Sequence, residues 1–340
     1  MELPAALRRA VDAALEGRAA GDIARAASTL SARYRAEVRD GAWHLADDGA
    51  ALAYLATRLP ATYAAVRAAL GQVAHERPDF APASLLDVGA GPGTVLWAAA
   101  DLWPSCRSAM MIEGSDTIRR WGERLSGALA GDGGAPIRAI WRSQNLLDAA
   151  TDTLDGARGP EGAARHDLVT MAYVLDEIAD RDRAPLIDRL WAHTGGVLVI
   201  VEPGTPAGYR RVAEARARLI AAGAAILAPC PHARPCPIVT PDWCHFSRRV
   251  ARSRLHRLVK GGEVPWEDEK FSYVAAARAE SGLAGGQSRE RVLAPPRAGR
   301  GHIGLKLCDA DGQVGERTFS RRDGDAYRRA RRAEWGDGLP

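Results

Sequence analysis

The chain has 340 residues, of which 46% are hydrophobic and 26% charged, enough to bury a sizeable core in one large α/β domain or two small ones and unlike a disordered segment. It holds no uninterrupted apolar run of about 18 residues, so no membrane partner is expected. The opening MELPAALRRAVDAALEGRAA mixes acids with arginines in an amphipathic pattern that fits neither a secretory signal nor a transit peptide, and a cytoplasmic location is the expectation. The formal charge of +4 is unevenly spread: residues 245–340 hold 20 Lys and Arg against 13 Asp and Glu, which points the C-terminal part toward a polyanion. Arginine supplies 43 of the 46 cations, and such enrichment alone does not identify an RNA-binding protein.

In chain order, residues 1–80 read as a helical region. Leu7, Ala10, Val11, Ala14 and Leu15 recur at helical spacing, and so do Leu52, Leu55, Leu59, Tyr63, Val66 and Leu70. After Pro78 and Pro82, short apolar runs (SLLDV, SAMMIE, IRAIW, HDLVTMAYVL, GGVLVIVEP) alternate with amphipathic stretches such as TVLWAAADLW and RAPLIDRLWAH. That alternation predicts an α/β fold with a parallel sheet covered on both faces. A further helix is expected over 209–222, then an irregular cysteine-rich insertion over 228–270. KFSYVAAAR and GHIGLKLCDA read as late strands separated by a loop over 280–300, with DADG as a hairpin turn and a basic helix over 324–335. Residues 81–340 are taken as one domain.

LLDVGAGPGTVLWAAA sets Gly89, Gly91 and Gly93 between a hydrophobic strand and a helix. Glycines there permit a tight turn and close approach of a ligand to free backbone N–H groups. Glu113, ending the next strand, is placed to accept from a ribose diol. The spacing favours S-adenosylmethionine over a dinucleotide, with Asp87, Gly89, Gly91, Gly93, Glu113, Asn145 and Leu146 as the candidate cofactor residues. Asp176 and Glu177 follow the fourth strand, near the expected position of methyl transfer. The plainer reading is a tight strand-to-helix connection.

Five cysteines are present. Cys230, Cys236 and Cys244 are spaced C-x5-C-x7-C, and Cys308 ends a later strand; Cys106 stands apart and reads as a small packing residue. Four thiolates could hold zinc or an iron–sulfur cluster, with His232 or His245 as substitutes for one of them, or the thiols could be unrelated.

LLDVGAGPGTVLWAA, LVIVEPGTPAG, APCPHARPCP, DWCHFSRR, EDEKFSYVAAAR and the terminal WGD together resemble the small-ribosomal-subunit methyltransferase-like family. The resemblance runs from about residue 53 to the C-terminus. It implies a class I S-adenosylmethionine-dependent methyltransferase fold, Rossmann-like, that binds small-subunit rRNA on the immature small ribosomal subunit, as a monomer when off the ribosome. It also implies a [4Fe–4S] cluster on Cys230, Cys236, Cys244 and Cys308, with zinc as the alternative. Such a metal would pin an irregular insertion to a late strand and present Arg248, Arg249, Arg252, Arg254 and Arg257 along a helix to phosphates. Their plainer reading is a solvated face paired with the acids of WEDEK. Trp243, Phe246 and Trp266 could stack on unpaired bases, though packing explains each one as well.

The fourth strand runs into MAYVLDEI rather than the Asn/Asp-Pro-Pro-aromatic motif of amino-group methylation, and no cysteine nucleophile follows it. Asp176 or Glu177 could act as a base or cap the next helix. Three readings stand: an rRNA-binding assembly factor that keeps the cofactor without obligatory catalysis, an active rRNA methyltransferase of unknown target nucleotide, and a zinc-binding small-molecule methyltransferase that leaves the basic C-terminal part unexplained.

Overall fold

A computed structural model describes residues 1–37, 43–131, 137–144 and 165–340. Four N-terminal helices come first: α1 (Ala5–Leu15), α2 (Ala20–Arg35), α3 (Asp48–Thr57) and α4 (Leu59–Glu76). The Asp47 side chain caps α3 by accepting from the Ala50 N–H at 2.8 Å. Leu7 and Val11 of α1 and Leu59, Val66, Leu70 and Val73 of α4 are buried in the same core as the sheet's covered face.

The α/β part then unfolds as β1 (Ser84–Val88), α5 (Thr94–Leu102), β2 (Ser108–Glu113), α6 (Asp116–Ser126), β3 (Arg138–Ser143), β4 (His166–Ala172), α7 (Asp180–Ala192), β5 (Thr194–Pro203), α8 (Pro206–Ala221) and β6 (Ala225–Ala228). Next come β7 (Phe246–Ala251), α9 (Arg254–Lys260) and β8 (Trp266–Ala277). The sheet order is β3-β2-β1-β4-β5-β8-β6, with β7 also paired to β8. The first five strands are parallel, while β8 runs antiparallel to β5, β6 and β7. Buried runs such as Leu85, Leu86 and Val88 of β1 or Val197–Val201 of β5 suit strands covered on both faces. The chain reverses its winding direction between β1 and β4, and ligands of doubly wound sheets bind at the carboxyl ends of strands on either side of such a switch.

A second, antiparallel sheet follows, from β9 (Glu290–Val292), β10 (Arg297–Gly299), β11 (His302–Asp309) and β12 (Val314–Ser320). It is completed by β13 (Gly338–Leu339), after a short helix α10 (Asp325–Ala330). Its own small core joins Val292, Ile303, Leu305, Leu307 and Ala330. The two late strands expected from sequence thus serve different sheets, KFSYVAAAR closing the first and GHIGLKLCDA founding the second. DADG does turn a hairpin, with the Asp309 N–H donating to the Gln313 carbonyl at 3.0 Å.

Three local expectations are corrected. Residues 246–251 form a strand, not part of a helix carrying the arginine run. Phe246 and Val250 are both buried, and a separation of four fits one helix face and one strand face equally; pairing with residues 266–271 of β8 decides for the strand. The expected loop over 280–300 contains the short strands β9 and β10. The C-terminal helix ends at Ala330 rather than 335, because Gly336 and Asp337 turn back to pair with Val292 through bonds of 2.9 and 3.0 Å. Among the described residues no helix is long and apolar enough to cross a membrane.

Candidate functional site

The loop after β1 carries Gly89, Gly91 and Gly93 at φ +77°, +53° and +83°, a region that L side chains avoid, so the turn itself requires glycine. Glu113, at the end of β2, reaches back across it. Its Oε2 accepts from the Gly91 N–H and its Oε1 from the Ser115 N–H, each at 2.8 Å. Burial raises its pKa against those two bonds. Gly89, Gly91 and Glu113 all line one cavity of about 1220 Å³ at the carboxyl ends of β1, β2, β4 and β5. A Cβ built on Gly91 would meet no atom within 4 Å, so this backbone faces open space. Asp87 does not line the cavity: it lies beneath, bonded to Thr170 Oγ1 at 2.7 Å, with its carboxyl pushed up to about 7 by burial. Gly93 is likewise outside the lining and meets Trp141 at 3.4 Å. Asn145 and Leu146 fall outside the described residues.

Asp176 and Glu177 do border the cavity. Burial, then the negative charges of Asp176 and Glu113, push the Glu177 carboxyl up to about 8. Sequence reasoning missed four neighbours that shape this wall. Glu202, fully buried at the end of β5, accepts from the N–H groups of Val174 (3.1 Å) and Leu175 (3.0 Å) and faces Arg211 at 3.5 Å, which clamps the chain after β4. Tyr173 stands at φ +59°, a strained conformation for a tyrosine, and its hydroxyl donates to Glu269 at 2.9 Å. Arg58, at the junction of α3 and α4, pairs with the same carboxylate at 3.3 Å. Trp43 lies flat on the backbone after β2, its ring 2.5 Å from where a Cβ on Gly114 would stand. The N-terminal region therefore forms one wall of the cavity.

A second, smaller cavity of about 40 Å³ is lined by Cys230, Cys236, Cys244 and Cys308, with His232, Tyr209, Arg216 and Arg291 among the other lining residues. The first three cysteines lie on the segment between β6 and β7 and the fourth on β11 of the other sheet, so the fold brings together residues up to 78 positions apart. Cys308 Sγ is 3.4 Å from His232 Nε2, and the Tyr209 hydroxyl is 3.2 Å from Cys236 Sγ. Burial, followed by the neighbouring cysteines, raises the Cys244 and Cys308 thiols, the latter to about 12. His245 stacks on Trp243 at 4.9 Å and is not part of the lining. Cys106 is buried elsewhere in the core.

Arg216 is the telling member of this set. It is 6% exposed, its Nη2 donates to the carbonyls of His232 (2.8 Å) and Arg234 (2.9 Å), and its Nε has no partner. Among the described residues no carboxylate pairs with it, whereas the two other buried guanidiniums each meet one, Arg291 with Glu76 at 2.8 Å and Arg211 with Glu202 at 3.5 Å. Arg291 also donates to the Pro229 carbonyl at 2.7 Å, fixing the start of the cysteine segment. A buried, unpaired cation is costly and calls for negative charge close by. The sulfur nearest in effect is Cys230, whose thiolate Arg216 favours against burial, both by charge and by hydrogen bonding.

Of the arginines singled out from sequence, Arg248 pairs with Glu334 (3.5 Å), Arg249 with Asp268 (3.0 Å) and Arg252 with Glu267 (3.0 Å). The last two acids belong to WEDEK. Arg254 starts α9 and Arg257 lies in its last turn. Phe246 is buried, and the Trp243 indole donates to the Gly204 carbonyl at 2.9 Å. Trp266 is exposed beneath the Arg249 guanidinium.

Strand order and switch-point cavity together define a methyltransferase-like α/β protein of class I topology, here joined to a cysteine-lined second cavity. The model of the family described as mitochondrial small ribosomal subunit Rsm22 matches residues 48–340, and the chain belongs to that family. The human ribosome assembly protein METTL17, mitochondrial, is 32% identical over 309 residues, which cover 86% of this chain and 63% of that protein. The Rsm22-cox11 tandem protein 2, mitochondrial, of Schizosaccharomyces pombe is 23% identical, over 90% of this chain and 45% of its own length. The chain thus spans less than two thirds of either relative. Among solved structures, an O-methyltransferase family protein from Burkholderia thailandensis superposes with a TM-score of 0.45 at 16% identity, covering 77% of this chain and 73% of that one.

Proposed function

We propose that this chain is an S-adenosylmethionine-binding, methyltransferase-like factor that binds rRNA of the immature small ribosomal subunit, acting in the cytoplasm and as a monomer when off the particle. In this reading Gly89, Gly91 and Glu113 hold the cofactor in the large cavity, and Cys230, Cys236, Cys244 and Cys308 hold a [4Fe–4S] cluster in the small one. The observation that carries the cluster assignment is Arg216, a buried cation without a carboxylate, beside four cysteines. Cysteine-bound iron turns thiols into thiolates and so supplies the missing negative charge. Among the described residues no group of three or more His, Cys, Asp or Glu is arranged to hold a metal ion, so in this reading the four cysteines that line the cavity close on the cluster as it binds. Bound there, the cluster acts as a clip between the 229–245 segment and β11.

Arg248, Arg249, Arg252 and Arg254 contact phosphates in this reading, the first three by exchanging their carboxylates for RNA. Family membership and the printed role of the human relative in ribosome assembly support the choice of partner. A second reading, an active rRNA methyltransferase, is favoured by Glu177, whose carboxyl near 8 suits a base working close to neutral pH. S-adenosylmethionine would supply the electrophilic methyl group, and Glu177 would take the acceptor's proton. The test is methyl transfer from labelled S-adenosylmethionine to immature small subunits from a strain lacking the gene, with iron, sulfide and zinc counted in anaerobically purified protein. Colourless protein with stoichiometric zinc overturns the cluster. Label in one rRNA nucleotide, lost in Gly91→Arg, selects the enzyme over the assembly factor. Protein that binds neither the particle nor its rRNA overturns both.

A further inference from the structure

Three of the arginines expected from sequence to face RNA, Arg248, Arg249 and Arg252, are held by acids of their own chain, but a larger set elsewhere is not. Residues 297–332 contain ten Lys and Arg against five Asp and Glu. Those five acids are already engaged. Glu316 pairs with Arg297, Asp325 with Arg328 and Asp311 with Arg234; Asp309 accepts backbone N–H groups in the hairpin, and Asp323 caps Ser320. Six arginines, Arg300, Arg321, Arg322, Arg329, Arg331 and Arg332, are exposed and meet no acidic partner among the described residues. Of the two other cations, Arg317 is paired with Glu290 and Lys306 with Asp242.

The fold holds these six on a rigid base. His302 stands opposite Ser320 where β11 and β12 end, and the Arg321 N–H donates to the Gly301 carbonyl at 3.2 Å. The turn bearing Arg300 is thereby joined to the turn bearing Arg321 and Arg322. α10 follows at once, and its Ala330 and Tyr327 pack on Ile303 and Leu305, which leaves Arg329 exposed and carries the chain on to Arg331 and Arg332. Like charges gathered without counter-ions of their own cost little on an exposed surface and gain when an anion replaces their condensed salt.

We infer that this end of the second sheet, presenting Arg300, Arg321, Arg322, Arg329, Arg331 and Arg332, is a docking surface for the phosphate backbone of RNA. The inference rests on the rRNA-binding reading and relocates its main electrostatic contact. Arginine forks match phosphate oxygens bidentately. An anionic membrane is the weaker occupant, because surface-binding segments insert apolar side chains and none of the exposed large hydrophobics lies within 297–332.

The experiment measures binding of the full chain to a small-subunit rRNA transcript as a function of salt. The variant R300A/R321A/R322A is expected to lower the slope of log K against log salt by about 2–3, at 0.7–0.9 per lost phosphate contact. R321K/R322K should keep the slope. R18A/R107A/R120A, which removes the same charge from exposed, unpaired arginines far along the chain, should keep it too. Thermal melting checks that each variant is folded. Steep binding by the wild type with an unchanged slope in R300A/R321A/R322A overturns the surface, and so does an equal loss in R18A/R107A/R120A, which would mean net charge alone. A variant that loses binding to phosphatidylglycerol vesicles while keeping its RNA slope overturns it in favour of a membrane. No salt-dependent binding by the wild type defeats the underlying reading instead.

Discussion

Arg216→Gln should change the sign of its effect on stability according to what the cysteines carry. In the metal-free chain the Cys230, Cys244 and Cys308 thiols are neutral, since burial and the neighbouring cysteines raise them above their ordinary range. The guanidinium then has only the carbonyls of His232 and Arg234 for company. An ion in that position pays a desolvation penalty of several kcal/mol that two neutral acceptors return only in part. Glutamine keeps an amide donor and removes the charge, so the metal-free variant should be as stable as the wild type or about 1–3 kcal/mol more so. With iron bound, the sulfurs are anionic, and losing the cation strands negative charge in the core. Breaking a buried ion pair from one side costs about 3–5 kcal/mol. Urea unfolding of metal-free and anaerobically reconstituted protein, wild type beside variant, measures both shifts. Arg216→Lys should recover most of the loss in the loaded form. Equal destabilisation in both states would refute the reasoning, because it would mean that Arg216 serves the fold through its carbonyl contacts and not as a counter-charge.

Gly91→Arg should abolish the calorimetric signal of S-adenosylmethionine, since its side chain would project into the open cavity, while the left-handed backbone costs only about 1–2 kcal/mol in stability. Glu177 keeps its proton in the folded chain up to about pH 8, whereas the unfolded chain loses it near 4.5; wild-type stability should therefore fall as pH rises through that window. Glu177→Gln should be roughly 2–4 kcal/mol more stable than wild type at pH 8.5 and nearly equal to it at pH 4, as read from urea midpoints, and a constant difference would rule out the raised carboxyl. Glu202→Leu removes the acceptor of two buried N–H groups and the partner of Arg211, and should cost about 3–5 kcal/mol; a loss below 1 kcal/mol would show that the chain after β4 needs no clamp.

What could be read from the sequence, and what could not, divides by the range of the interaction that decides it. The glycine loop was legible because its constraint is local: three left-handed positions between a buried strand and a helix leave glycine as the residue that fits. Glu113 was legible for the same reason, being tied to the loop by strand length. The arginine run was misread because Phe246 and Val250 satisfy two periodicities at once, and only Trp266–Phe271, distant in sequence, selects the strand and delivers the acids that bind Arg249 and Arg252. Tyr173 leaves no trace in MAYVLDEI, since its hydroxyl is held by Glu269 and the backbone just after it, at Val174 and Leu175, by Glu202, from two other strands.

Arg216 is the sharpest case of the second kind. In GYRRVAEARARLIA it is one of four arginines on an amphipathic helix, and its spacing from Val212 and Leu219 places it on the buried side without saying what it would meet there. The cysteine spacing, by contrast, left a ligand set and unrelated thiols both open, and the family resemblance that implies the ligand set does not show what would balance its charge. Neither pattern is informative alone. A buried cation is an unstable choice for a helix unless an anion arrives, and thiols that are buried or half-buried are a poor source of charge unless something deprotonates them. In the proposed cluster-bound state each anomaly would remove the other, and it is this mutual requirement, rather than the spacing of the cysteines, on which the proposal of an anionic, metal-bound state rests.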